Sequence, residues 1–171
     1  MKTCSFFGHR NTKSTPELCE NLRKTIIYLI TEKGVNRFLF GSKSNFDDLS
    51  LEIVTELKKD YSNIKRVYVR SQYANIQKSY QEYLLKFYDE TIIANNVENA
   101  GKASYVKRNQ EMINESDYCV FYYNESYKPP LKKRCKGYLS DYQPNSGTAI
   151  AFQYAKSKKK QIINLCESKK D

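Results

Sequence analysis

The chain has one histidine, no long apolar run and no closely spaced pair of cysteines, and each shortage closes off a class of protein. With His9 as the sole imidazole, a zinc centre would need an unusual set of ligands, so we expect neither a structural metal nor a cofactor. Apolar stretches such as Ile26 to Ile30 fall far short of the roughly 20 residues that a membrane span requires. Cys4, Cys19, Cys119, Cys135 and Cys166 are scattered, odd in number and free of any C-x-x-C spacing, which suits a reducing compartment better than a disulfide framework. The opening stretch from Met1 to Arg10 carries a short apolar run without a small-residue cleavage site, and it reads as a first strand rather than a signal peptide. A cytoplasmic location is the expectation. Acidic residues are the minority charge, 19 against 29 Lys and Arg, and the net charge of +10 suits anionic small molecules or nucleic acid without choosing between them. Much of the excess sits in lysine clusters, at Lys132 to Lys136 and Lys156 to Lys160, of the kind that ordinarily stay solvated.

What is present is an alternation of strand and helix signals. Thr3 to Phe7 is an apolar run closed by Gly8-His9-Arg10, a buried strand and its turn. Ser14-Thr15-Pro16-Glu17 supplies a capping hydroxyl, an early proline and an acid; Leu18, Leu22, Ile26, Leu29 and Ile30 then recur at helical spacing as far as Gly34. Arg37 to Phe40 is a second strand, and the helix after it turns Phe46, Leu49, Ile53 and Leu57 inward. Lys65 to Val69 reads as a third strand, residues 75–88 as a tyrosine-rich helix and Thr91 to Ala94 as a fourth strand. A helix over 102–115, a strand from Tyr118 to Tyr123, a helix opening at Ser146-Gly147 and a strand from Gln161 to Leu165 complete the series. This order predicts an α/β, three-layer Rossmann-like fold, with a mostly parallel sheet of about six strands and helices on both faces. The length suits one domain over residues 1–171. The basic stretch 124–145 is long for a loop, which marks it as a lid or an oligomer contact.

In such a sheet, ligands bind beyond the carboxyl ends of the strands, near the point where strand order reverses. Gly8, His9 and Arg10 follow the first strand, Gly41, Ser42, Asn45 and Asp47 follow the second, and Ser146-Gly147-Thr148 opens the helix after the fifth. Ser146 fits an ordinary N-cap, and the same helix start, with its free amides and positive dipole end, also attracts phosphate. Asp47 is a candidate acceptor for ribose hydroxyls or, equally, a cap. On the helix over 102–115, Tyr105, Val106, Met112 and Ile113 define an apolar stripe, with Asn109 near its middle and Arg108 at its edge. Burying that amide and guanidinium unpaired would cost on the order of 1–3 kcal/mol or more, so they need partners, either backbone carbonyls or a ligand. His9 is a hydrogen-bonding or ligand-contact residue before it is a base paired with Cys4.

Taken in chain order, Phe7-Gly8-His9-Arg10, Gly41 to Asp47, Tyr105-Val106-Lys107-Arg108-Asn109 with Met112, Ser116-Asp117, and Ser146-Gly147-Thr148 with Tyr154-Ala155 resemble the SLOG superfamily, and its YpsA-like branch in particular. The resemblance implies a nucleotide-binding Rossmann-like fold and a homodimer or higher homo-oligomer. Related Lonely-Guy phosphoribohydrolases cleave nucleoside monophosphates with an arginine in a helix like that of Arg108 and a glutamate three residues after the threonine of a glycine-rich loop. Here that place is Ala151, and no carboxylate occurs from Asn145 to Lys156. Glycosidic cleavage normally needs such an acid. The expected function is therefore to bind a nucleotide or nucleotide derivative, sensing or sequestering an ADP-ribose-like or cyclic nucleotide signal, with no catalytic residue assigned. A phosphoribohydrolase of Lonely-Guy type is the alternative. DNA binding, by a more distant likeness to DprA proteins, ranks last.

Overall fold

The computed structural model describes residues 1–41, 43–95, 97, 100–131 and 145–166. Ser42 and most of the basic stretch, residues 132–144, therefore lie outside the described residues, and so does the proposed lid or contact role of that stretch. Six strands and five α-helices alternate among the described residues: β1 (Lys2–Gly8), α1 (Pro16–Thr31), β2 (Val35–Phe40), α2 (Asn45–Leu57), β3 (Lys65–Arg70), α3 (Lys78–Leu84), β4 (Glu90–Ile93), α4 (Ser104–Glu115), β5 (Tyr118–Tyr122), α5 (Gly147–Ser157) and β6 (Gln161–Asn164). The strands form one sheet in the order β4-β3-β2-β1-β5-β6, and every pairing is parallel. Strand order thus runs outward from β1 in both directions and reverses between β1 and β5. This is the three-layer Rossmann-like α/β arrangement that the alternation predicts.

The period of two in the strands sorts side chains into two cores. Cys4, Phe6, Phe38, Phe40 and Val120 face α1 and α2, whereas Phe7, Leu39, Val67, Cys119 and Phe121 face α4 and α5. Helix starts follow local chemistry: Thr15 caps α1 by accepting from the Leu18 N–H, Ser44 caps α2 by accepting from the Asp47 N–H, and Ser146 caps α5 by accepting from the Ala149 N–H. Asp47 is therefore not the cap of α2.

Two elements differ from the sequence reading. The helix expected over 75–88 is only Lys78–Leu84, because just Leu84 on it is buried and no packed stripe carries it further. Helix α4 begins at Ser104 behind a 3-10 turn over Gly101–Ala103, and its buried side chains are Ser104, Arg108, Met112 and Ile113. Arg108 therefore occupies the inward face of α4 rather than its edge, and Tyr105 points out, 53% exposed. The i, i+4, i+8 series of Ser104, Arg108 and Met112 sets this face. No helix is long and apolar enough to cross a membrane among the described residues.

The amino rim of the sheet is closed by a set of paired polar groups. The Thr3 N–H donates to Asp117 Oδ2 at 2.8 Å, and the Asp117 N–H donates back to the Thr3 carbonyl at 2.9 Å. Ser116 Oγ is hydrogen-bonded to Ser5 Oγ (2.9 Å) and to the Met112 carbonyl (2.7 Å). Lys160 Nζ donates to the Asn114 and Ser116 carbonyls, both at 2.8 Å, and so caps the end of α4. The Ser116-Asp117 pair is thus a fastening of the fold at the rim opposite the candidate site.

Candidate functional site

At the carboxyl rim, glycines let other groups come close to the strand ends. A Cβ at Gly8 would stand 2.4 Å from the Cβ of Phe46, so this glycine admits the first turn of α2 onto β1. That is a packing requirement. A Cβ at Gly41 would meet Met112 Sδ at 2.7 Å and Arg108 Nε at 2.8 Å. The notch at the end of β2 therefore holds the arginine side chain coming from α4.

Arg108 is 4% exposed. Its Nη2 and Nε donate to Asn109 Oδ1 at 2.9 and 3.3 Å, and its guanidinium lies 5.5 Å from the Tyr105 ring centroid. Burial lowers its pKa, and the Asp47 carboxylate opposes that shift, followed by Tyr68 and Tyr105. Asp47 is itself buried. Its charge sits close enough to Arg108 to stabilise the cation, so the structure brings Gly41, Asp47, Tyr105, Arg108 and Asn109 together. One carboxamide and one carboxylate neighbour leave a five-donor guanidinium with capacity for an anionic ligand.

Beside this group, His9 closes the end of β1 against the exit of β5. The Asn124 N–H donates to His9 Nε2 at 3.1 Å, so the ring is neutral with its proton on Nδ1. Tyr127 packs on the ring with centroids 4.2 Å apart, and the His9 carbonyl accepts from Thr12 Oγ1 at 2.8 Å. His9 is 7% exposed, its pKa is lowered by burial, and its Nδ1 has no hydrogen-bond partner among the described residues. Cys4 cannot act with it as a nucleophile: its thiol is fully buried, and burial raises its pKa well above the ordinary range.

Next along the rim, Ser146 Oγ accepts from the Ala149 N–H at 3.0 Å, so the hydroxyl is spent as a cap. Gly147 has open space where a side chain would be, and Thr148 is buried. The N–H groups of Gly147 and Thr148, the first two of the helix, have no intrahelical acceptor. They face the dipole's positive end and suit a phosphate oxygen. Tyr123 from the end of β5 stacks on Phe152 of α5, with centroids 4.5 Å apart, and holds this helix start against the strand.

Two predicted residues lie on another side of α2. The Asn45 N–H donates to the Arg10 carbonyl at 3.1 Å, and Asn45 Nδ2 donates to the Thr12 carbonyl at 3.3 Å. Asn45 also lines an open cleft of about 480 Å³ with Asn11, Thr12, Lys13, Ser14, Asp48, Leu49 and Glu52. Two carboxylates against one lysine make that cleft a poor place for a phosphate. The Arg10 side chain is exposed and its carbonyl accepts from the Asn45 N–H, while Ser42 lies outside the described residues. Among the described residues no group of three His, Cys, Asp or Glu side chains could hold a metal ion.

Sequence reasoning missed Tyr68, Tyr88 and Ser104. Tyr68 and Tyr88 stack with centroids 5.0 Å apart beyond Asp47, and burial raises the pKa of both phenols. Ser104 is fully enclosed one helical turn before Arg108, and its Oγ has no hydrogen-bond partner among the described residues. The i, i+4 spacing from Arg108 is the signal that marks it.

The family model of the YspA SLOG family (YpsA) matches residues 5–161, most of the chain. No curated protein matches the chain. The chain belongs to the YspA SLOG family.

Proposed function

We propose that this SLOG protein binds a nucleotide or nucleotide derivative across its carboxyl rim, and that it senses or sequesters that ligand rather than cleaving it. Membership of the family supports nucleotide-related binding or processing as the broad activity. The observation that carries the narrower reading is Arg108, a buried cation in the Gly41 notch whose hydrogen bonds among the described residues go only to the Asn109 side chain. Removing a guanidinium from water costs several kcal/mol, and a phosphate bound there returns it. The open start of α5 supplies a second set of donors on the neighbouring side of the rim. Between them stands the buried Nδ1–H of His9.

Ala151 supports the reading of binding without hydrolysis. It stands where hydrolytic relatives place their glutamate, is 2% exposed and packs in the core with Ala155, Phe7 and Phe121. That position faces the sheet, and a carboxylate there would be desolvated among apolar side chains. The ligand class we favour is an ADP-ribose-like or cyclic nucleotide signal.

Thermal unfolding with AMP, ADP, ADP-ribose and cyclic nucleotides tests the reading. A ligand at about 100 times its Kd adds roughly 2.7 kcal/mol to stability. The stabilisation should disappear in Arg108→Ala at the same ligand concentration. An unchanged unfolding temperature with every nucleotide, or an equal shift in wild type and Arg108→Ala, would sink the proposal. Release of free base from AMP at high protein concentration would move the protein into the hydrolases.

A further inference from the structure

We propose that the amino rim of the sheet is a docking face for double-stranded nucleic acid, whose phosphate backbone is held by Lys2, Lys33, Lys59, Lys65, Lys158 and Lys159. In an all-parallel sheet every strand begins at one rim and every crossover helix ends there, so residues far apart in sequence gather on one edge. Lys2 and Lys65 head β1 and β3, Lys33 and Lys59 follow α1 and α2, and Lys158 and Lys159 follow α5. Lys33 is half-buried and the others are exposed. From Lys65 at β3 to the start of β6 is four strand spacings, about 19 Å. One small anion cannot meet cations spread over that length, whereas a duplex, with a phosphate charge for every ~1.7 Å of its axis, can. Several acidic side chains of the same rim are already engaged: Asp89 pairs with Arg66 at 3.1 Å and Lys58 at 3.4 Å, Glu115 pairs with Arg37 at 2.7 Å, and Asp117 accepts from the Thr3 N–H. Glu32, Asp60 and Glu90 remain, and among the described residues none of the named lysines is in an ion pair.

Lysines at helix C-termini also balance the dipole, which accounts for Lys33, Lys59 and Lys158. It does not account for Lys2 and Lys65, which head strands, or for Lys159. Lys159 has φ 53°, in the left-handed region that glycine enters freely and residues with a Cβ do not. The Lys160 N–H donates to the Ala155 carbonyl at 3.1 Å and closes the turn around it. The turn after α1 uses Gly34 in the same conformation, with φ 70°. Lysine at position 159 thus keeps a charge on the rim in a conformation that glycine would hold with less strain. Tyr28 lies under Lys33 and Tyr154 under Lys158, with 5.2 and 5.3 Å from ammonium to ring centroid, and Tyr61 and Tyr118 pack against the core. Rings covered in this way do not stack on bases, so the mode that fits is contact with phosphates, and a duplex suits it better than a single strand. On this stretch of the rim the exposed large apolar side chains among the described residues are Met1 and Tyr28, too little to insert into a bilayer.

Fluorescence anisotropy of a labelled duplex of about 20 base pairs, titrated with the protein at several salt concentrations, tests the face. The logarithm of the association constant should fall linearly with that of the salt concentration, with a slope of about −0.9 for each phosphate engaged. Lys59→Gln, Lys65→Gln and Lys159→Gln should each make the slope shallower by about 1, and Lys13→Gln, beyond the opposite rim, should leave it unchanged. Lys159→Gly should lose the same share of the slope and yet melt at a higher temperature than wild type, because the turn is then relaxed. All four positions are exposed, so the variants should fold as wild type, and circular dichroism checks this. Wild type that leaves the duplex free at low salt, slopes unchanged in the amino-rim glutamine variants, or a slope lowered as much by Lys13→Gln would overturn the face. Tighter binding of the single strand of the same length would overturn the duplex as its partner. Capture by phosphatidylserine vesicles without binding to the duplex would overturn it in favour of a membrane surface. The outcome is separate from that of the nucleotide reading, since Arg108→Ala should bind the duplex as wild type does.

Discussion

On the amino rim of the sheet, Thr3 and Asp117 exchange two hydrogen bonds, Ser116 ties Ser5 to the end of α4, and Lys160 takes two carbonyls. On the carboxyl rim, His9 Nδ1, Ser104 Oγ and Arg70 Nε have no hydrogen-bond partner among the described residues, and Arg108 is buried with an amide for company. Asn36 Oδ1, near the start of β2, and Thr91 Oγ1, near the start of β4, are the exceptions on the closed side. Each buried, unsatisfied group costs about 1–3 kcal/mol, so their gathering at one rim is a stability cost that a bound ligand can offset. The same sheet and the same helices carry both rims. What differs is that helix N-termini converge on one and C-termini on the other, and only the first arrangement presents free N–H groups.

If that division is right, substitutions on the amino rim should change stability and leave ligand affinity alone. Asp117→Ala removes the acceptor of a strand N–H and should lower stability by about 2 kcal/mol, within the range for a charged hydrogen bond. For a chain of this size that is a fall of roughly 4–8 °C in Tm. Nucleotide affinity should stay within about twofold. A larger change in affinity than in stability would show that the two rims are coupled, and the comparison would fail.

Gly41→Ala is the complementary substitution, with a smaller effect of the opposite kind. Its new methyl meets Arg108 Nε and Met112 Sδ, both toward the ends of flexible side chains, so the fold yields without moving backbone. Stability should fall by less than about 1 kcal/mol, the mild end of overpacking. The displaced guanidinium should cost about tenfold in nucleotide affinity, or about 1.4 kcal/mol. Calorimetric titration and thermal melts on the same preparation measure both numbers, and a stability loss without an affinity loss would return Arg108 to a purely structural role.

Much of this is legible in the sequence, for a physical reason that also explains the misses. Element order depends on period and punctuation, and Thr15-Pro16, Gly34 and Ser146-Gly147 mark their boundaries locally. The convergence of Arg108, Asp47 and Gly41 follows from parallel topology, which the alternation of elements implies. The face of α4 did not follow, because a wheel read by hydropathy puts Tyr105 inside and Arg108 at the edge. Tertiary context reverses this: Gly41 opens a space that fits the arginine stem. Gly8 reads from the sequence as a turn residue on the ligand-binding rim, yet its constraint is the Phe46 side chain, contributed 38 positions later in the sequence. Tyr68 and Tyr88 are strand and loop residues whose significance appears only when their rings meet.

The least effect expected at the open rim is that of pH, and it can be isolated because His9 is the chain's only histidine. Its folded pKa lies below the ordinary value near 6.5, with burial as the first cause, and its Nε2 can accept the Asn124 N–H only while the ring is neutral. The unfolded chain therefore takes up a proton before the folded chain does. The contribution of neutral His9 to stability is complete above about pH 6.5 and is lost as pH falls from there through the folded pKa. Tm should decline between about pH 7 and about pH 5 in wild type, and His9→Gln should flatten that part of the profile, since glutamine does not titrate. The Asn124–Tyr127 segment should loosen over the same interval, which amide hydrogen exchange at Asn124 measures directly. Coincident profiles for wild type and His9→Gln would mean that the imidazole is protonated without penalty, and His9 would then belong with the satisfied groups of the closed rim.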